Sequence, residues 1–252
     1  MLVSGSVADK PSRLVGGGEP VEVRQLGRRF VSRGGEKLEA ALNGFEVSTR
    51  GRRALDAGAS TGGFTDCLLR HGAAEVVAVD VGYGQLSPSL RADPRVTVVE
   101  RTNIRHLDPA AVGGPFELVV ADLSFISLAP LAPLLAGTLA ARGADLVLLV
   151  KPQFEAGRRA VSRGRGVVRD PLVRAQALRR VTSALRDAGA TIMGAMASPL
   201  LGPAGNVEFL LHARAHTGGG PGRAELSALL DHVLVEAPDR SDAPRRHSQT
   251  GD

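Results

Sequence analysis

The chain has 252 residues, 31 Lys and Arg against 26 Asp and Glu, and 43% hydrophobic residues; this suffices for one α/β domain with a full apolar core and short appendages. The net charge of +5 favours an anionic partner, most simply nucleic acid, while 3% aromatic residues and no Trp argue against a binder that stacks many single-stranded bases. A single cysteine, Cys67, excludes an internal disulfide and fits a reducing cytoplasm, no run of about 20 apolar residues predicts a transmembrane helix, and the N-terminus has no continuous apolar signal region.

Residues 1–27 are rich in Gly, Pro and Ser, with short β-like runs such as Val21-Glu22-Val23, too short to bury a core alone. Arg28, Arg29 and Arg33 mark a basic linker over 28–35. Residues 36–42 have the apolar spacing of an amphipathic helix. From there strands are expected at 53–57, 76–80, 96–99, 118–121 and 145–150, and helices at 63–71, 125–141 and 170–188. Two strand-like runs follow near 191–197 and 207–213, then a helix at 223–236. The tail 237–252, with Pro, Asp, Arg and Ser, is expected to be disordered. Strands alternating with helices predict a mostly parallel, doubly wound Rossmann-like sheet over 36–236. A late hairpin-like pair on such a sheet is typical of methyltransferases and not of dehydrogenases, an analogy at fold level.

The most informative stretch is Leu55-Asp56-Ala57-Gly58-Ala59-Ser60-Thr61-Gly62-Gly63-Phe64-Thr65. A strand runs into a turn built on small residues and continues as a helix, so backbone can approach a ligand closely. The next strand ends in Asp80, roughly 20 residues past the turn, where a carboxylate binds the ribose hydroxyls of an adenosyl ligand. Ser60 stands where a strict dinucleotide fingerprint has its second glycine. A dinucleotide and S-adenosylmethionine therefore remain alternatives. Asp56 favours the second, because a carboxylate there suits an ammonium and repels a pyrophosphate.

Three further segments stand at the carboxyl ends of expected strands, where open α/β sheets bind ligands. They are Asp122-Leu123-Ser124-Phe125, Lys151-Pro152-Gln153-Phe154 and Gly205-Asn206-Val207-Glu208. A lysine leaving the apolar run Leu146–Val150 is costly unless paired, and Asp122 and Glu208 are candidate partners, with Lys37 a fourth member. Two lysines and two carboxylates nearly cancel in charge, an arrangement that lets one amine shed its proton and take another from a hydroxyl. Arg158, Arg159, Arg163, Arg165 and Arg169 crowd the following loop and are read as phosphate contacts. His71 and His106 have no metal-ligand spacing with other residues. The Ser60 region lacks the nucleophile elbow of a hydrolase.

The runs Val31-Ser32-Arg33-Gly34-Gly35-Glu36-Lys37-Leu38, Asp56 to Thr65, Asp80-Val81-Gly82-Tyr83-Gly84-Gln85-Leu86, Asp122-Leu123-Ser124-Phe125-Ile126-Ser127-Leu128, Lys151-Pro152-Gln153-Phe154-Glu155 and Gly205-Asn206-Val207-Glu208 together resemble the TlyA family. Its members are ribosomal RNA cytidine 2'-O-methyltransferases, often labelled hemolysin A, with an FtsJ-type catalytic domain. The resemblance implies a Lys37, Asp122, Lys151, Glu208 tetrad with Lys151 as base, and no metal. It implies that Gly58, Ser60, Gly62, Gly63 and Phe64 wrap the methionine end of S-adenosylmethionine. Asp80 would hold the ribose, and Asn103 and Asp122 would lie near the adenine and sulfonium. It also implies a ribosomal RNA partner, met by Arg28, Arg29, Arg33, Arg158, Arg163 and Arg165. Residues 1–27 resemble only the later β part of the αL-type RNA-binding domain that usually opens such proteins, so the coding start is expected further upstream. The competing expectations are a methyltransferase for a small hydroxylated molecule, against which the arginines speak, and a membrane-lytic protein, which no basic amphipathic helix supports.

Overall fold

The computed structural model describes residues 2–4, 6–7, 14–22, 29–156 and 166–237. Three two-residue strands, β1 (Leu2–Val3), β2 (Ser6–Val7) and β3 (Val21–Glu22), pair antiparallel in the order β2-β1-β3. Helix α1 (Gly34–Gly44) follows, then β4 (Arg53–Ala57), α2 (Gly63–Arg70), β5 (Glu75–Val79), the short α3 (Pro88–Arg91) and β6 (Val96–Val99). The second half holds β7 (Phe116–Ala121), β8 (Ala140–Val150), the short α4 (Pro152–Glu155), α5 (Pro171–Asp187), β9 (Thr191–Ala197), β10 (Phe209–Arg214) and α6 (Arg223–Glu236).

Strands β4 to β10 form one sheet in the order β6-β5-β4-β7-β8-β10-β9. The first five run parallel, and β10 is antiparallel to both β8 and β9. The expected late pair is therefore present, with β10 inserted inside β9. Strand side chains alternate between faces, and both faces are covered, as parallel strands require. Leu118, Val120, Val147 and Leu149 point to one side, onto Leu38 and Leu42 of α1 and Phe64 and Leu68 of α2. Val119, Leu146 and Leu148 point to the other, onto Leu178, Val181 and Leu185 of α5 and Leu226 and Leu230 of α6. Burying one such side chain is worth about 2 kcal/mol, so these two mainly aliphatic layers, with Phe64, Phe116 and Phe209 among them, hold the strand ends in place.

The helix expected at 125–141 is a correction. Ala129–Leu131 is one 3-10 turn, Pro133–Leu139 is π-helical, and Ala140 already belongs to β8. Pro130 and Pro133 lack the N–H groups that an α-helix needs in its interior. Phe125 is left-handed, with φ +64°, which keeps 122–128 as a loop over the strand ends. The predicted tail lies almost wholly outside the described residues, as do Arg28 and 157–165.

At the opposite end of the sheet, Asp145 of β8 is buried and accepts hydrogen bonds from Arg52 (2.6 Å), His212 (2.8 Å) and Arg214 (3.3 Å). Burial pushes its carboxyl up, but the bonds from His212 and Arg52 outweigh burial and hold it far below the usual range. This cluster ties β10 to β8 in the register that pairs Phe209 with Val150.

Candidate active site

The glycine turn closes over β7 because its backbone can come very near. Gly58 has φ +87°, and a Cβ there would sit 2.8 Å from the Asp122 carbonyl oxygen; a side chain is excluded on both counts. A Cβ on Gly63 would lie 2.9 Å from the Gly35 backbone nitrogen. That bare contact lets the start of α1 rest on the start of α2, which carries Lys37 to the strand ends.

Beside the turn, Asp80 ends β5 and is held at both oxygens. Ser60 N–H donates to Oδ2 at 2.8 Å and Gly82 N–H to Oδ1 at 2.7 Å. A cleft of about 710 Å³ opens here, lined by Gly58, Ser60, Asp80, Asn103 and Asp122, with Val81, Ile104 and Leu123 as apolar wall. A fixed carboxylate opposite apolar side chains suits a ligand with a hydroxylated sugar and a flat base. Asp56 and Gly62 line neither this cleft nor the one next to it. Asp56 is fully buried beneath the turn, where Thr65 Oγ1 donates to its Oδ2 at 2.7 Å and its Oδ1 has no partner. Burial pushes its carboxyl up to about 7, against the Thr65 bond, with the Asp122 charge adding to the rise.

The second cleft, about 250 Å³, is lined by Lys37, Asp122, Lys151 and Glu208 together, with Gly58, Ser60, Gly63, Phe64 and Arg33 around them. Sheet register explains the convergence. Phe209 pairs with Val150, so Glu208 and Lys151 leave neighbouring strands side by side. Asp122 N–H donates to Ala57 O at 3.0 Å, which holds Asp122 against the turn. Lys37 Nζ donates to Glu208 Oε2, and both side chains are buried. Lys151 Nζ donates to Ser124 Oγ at 2.9 Å and lies 2.5 Å from Asp122 Oδ1. That second contact lacks the alignment of a hydrogen bond and is an electrostatic pairing. Glu208 Oε1 is buried with no hydrogen-bond partner. The cluster thus offers two paired amines and one unspent carboxylate oxygen at the rim of the larger cleft, a set able to bind and deprotonate a hydroxyl.

Of the candidate basic contacts, Arg33 lines the charged cleft. Arg29 turns away, pairs with Glu39 at 2.6 Å and lies over the Phe30 ring. Arg28, Arg158, Arg163 and Arg165 lie outside the described residues. Sequence reasoning gave no role to Ser124, Phe125, Gln153 or Glu155. Ser124 borders both clefts, and Phe125 is 92% exposed at the edge of the larger one. Buried Glu155 accepts from Leu128 N–H (2.6 Å) and Ser127 Oγ (2.5 Å), which pins the 122–128 loop to α4. Ser124 and Phe125 stand in a segment that the sequence already places at a strand end, where ligands bind, but have no role of their own there, and Phe125 reads as the start of a helix.

The FtsJ-like methyltransferase family matches residues 30–215. The Mycobacterium tuberculosis protein named 16S/23S rRNA (cytidine-2'-O)-methyltransferase TlyA is 54% identical over 211 residues, 84% of this chain and 78% of that protein. A Brachyspira hyodysenteriae protein named Hemolysin A is 42% identical over 186 residues, 73% of this chain and 76% of its own. A solved Streptococcus thermophilus protein that carries a hemolysin name is 38% identical, with a TM-score of 0.79 over 92% of this chain and 84% of that one. The chain belongs to the FtsJ-like methyltransferase family, among the TlyA proteins.

Proposed function

We propose that this protein transfers a methyl group from S-adenosylmethionine to the ribose 2'-hydroxyl of a cytidine in ribosomal RNA, and does so in the cytoplasm. The observation that carries this reading is the gathering of Lys37, Asp122, Lys151 and Glu208 in one small cleft that shares Gly58, Ser60 and Asp122 with the larger one. The name of the Mycobacterium tuberculosis relative supports the substrate. Among the described residues no helix is long and apolar enough to cross a membrane, and nothing in the site favours a lytic activity.

The larger cleft fits the donor. Bare backbone at Gly58 and Ser60 faces its methionine end, each Asp80 oxygen keeps a lone pair for a ribose hydroxyl, and Val81, Ile104 and Leu123 offer a wall for adenine beside Asn103. Gly62 and Asp56 act from behind the turn, and Gly63 and Phe64 close its far side. Bound there, S-adenosylmethionine supplies the electrophilic methyl group. Lys151 takes the proton from the 2'-hydroxyl, held beside Asp122 and Ser124. Glu208 Oε1 accepts from the ribose, and Lys37 neutralises Glu208. Alignment of the hydroxyl with the donor supplies much of the rate, and proton removal contributes about 10²- to 10⁴-fold. Arg33 contacts phosphate at the mouth of the cleft, Arg29 is engaged with Glu39 instead, and Arg28, Arg158, Arg163 and Arg165, outside the described residues, are the remaining candidates for that contact.

The test is methyl transfer from radiolabelled donor to ribosomal RNA, with the modified nucleotide mapped. The Lys151→Ala variant should lose at least about 100-fold in rate while its donor affinity stays within about twofold. Full activity in that variant removes Lys151 as base. Label found on a base, or on no RNA, overturns the reading.

A further inference from the structure

A third cleft, about 840 Å³, is lined by Lys151 and shares Ser124 and Phe125 with the donor cleft. Phe125 and Phe154 stand in its wall with ring centroids 5.2 Å apart, and Lys151 Nζ lies 5.8 Å from the Phe154 ring. This inference rests on the 2'-O-methylation reading. A nucleotide whose ribose meets Lys151 puts its base, one glycosidic bond away, into this aromatic-walled space.

The polar atoms of the wall are mostly engaged. Asn206 accepts from Val168 N–H at 2.8 Å and donates to the Gly166 carbonyl at 2.9 Å, so its amide is committed to the fold. Ser124 is bonded to Lys151. Gln153 and Glu208 line this cleft, and among the described residues Glu208 Oε1, in the charge cluster, and Gln153 Oε1 are buried behind its surface with no hydrogen-bond partner. A buried carbonyl without a donor carries an unrecovered desolvation cost. Among the described residues nothing bonds the Gln153 carbonyl, and a small rotation of its side chain, two residues past Lys151, turns that oxygen toward the cleft.

We propose that Gln153 selects the target base, its carbonyl oxygen accepting a hydrogen bond from the exocyclic amine of cytosine. Cytosine presents an amine at the position where uracil presents a carbonyl oxygen. An acceptor at that point bonds the first and faces a second acceptor in the other. A site built to receive a hydrogen bond discriminates sharply against a base that cannot give it.

The experiment uses the full chain and two RNAs of one sequence, with cytidine or uridine at the mapped target, under single-turnover conditions with radiolabelled donor. The wild type should favour cytidine by about 10- to 100-fold. Gln153→Leu should bring the ratio close to one, mainly by slowing the cytidine reaction, with donor affinity unchanged. Gln153→Glu, which retains the acceptor, should keep the preference. Gln153→Met, apolar and of equal length, reports the same loss should the leucine variant fail to fold. Equal use of both RNAs by the wild type, or wild-type discrimination in the apolar variants, overturns this inference alone. A wild type that labels neither RNA overturns the 2'-O-methylation reading and this inference with it.

Discussion

Asp56→Asn is the sharpest test of how the glycine turn is supported. The carboxyl is fully buried, and burial lifts it from its ordinary 3.8 to about 7. The folded protein thus keeps a proton on Asp56 over about three pH units in which the unfolded chain has released it. Each pH unit of that separation is worth about 1.4 kcal/mol, so the span is worth about 4 kcal/mol. The sign follows from which state holds the proton. Stability from this group is fully present below about pH 3.8 and is lost as pH rises to about 7, where the native carboxyl must ionise in a buried place. Asparagine stays neutral throughout and can still accept from Thr65. Its unpartnered amide N–H costs about 1–3 kcal/mol, but equally at every pH. Urea unfolding of both proteins from pH 4 to 8 should therefore show the stability difference moving by about 4 kcal/mol in favour of the variant. Curves that stay parallel across that range would refute the argument, and with it the claim that Asp56 is neutral beneath the turn.

Three further outcomes are expected. Asp80→Ala should weaken donor binding by at least about tenfold, the worth of one hydrogen bond to a charged acceptor; calorimetry that finds an unaltered dissociation constant removes Asp80 from the ribose position. Gly58→Ala should destabilise by more than about 2 kcal/mol, since a left-handed backbone alone costs about 1–2 and the new Cβ meets the Asp122 carbonyl; an unshifted thermal midpoint counts against the close approach. Glu155→Ala should cost about 3 kcal/mol for two bonds to a charged acceptor and slow methyl transfer by freeing the Asp122 loop, with Glu155→Gln recovering part of both; a variant with wild-type kinetics shows that the loop needs no such anchor.

The parts of the site that could be read in the sequence are those where local pattern fixes position. Asp80, Asp122 and Lys151 each follow an apolar strand run, and a strand end in a parallel sheet is already an address. Glu208 and Lys37 stand in the sequence as candidate members of the charge cluster, but their meeting was not legible in local pattern, because what joins them is the contact of Gly35 with Gly63 and the pairing of β10 with β8. The stretch 125–141 was misread for a physical reason: its composition suits a helix, but Pro130, Pro133 and the left-handed Phe125 leave a loop, a π segment and the early start of β8. Asp145 passed unnoticed, since its partners Arg52, His212 and Arg214 are dispersed along the chain and meet only through the sheet.

The insertion of β10 between β8 and β9 has a consequence for synthesis. Lys37 and Glu208 are 171 residues apart, and β9 leaves the ribosome before the strand that must slide in beside it. A nascent chain that has reached β9 already holds the donor-side turn and Lys151, yet it lacks the carboxylate on which Lys37 closes. On the proposed mechanism, the charge cluster therefore closes only once Glu208 has left the ribosome and β10 has entered the sheet.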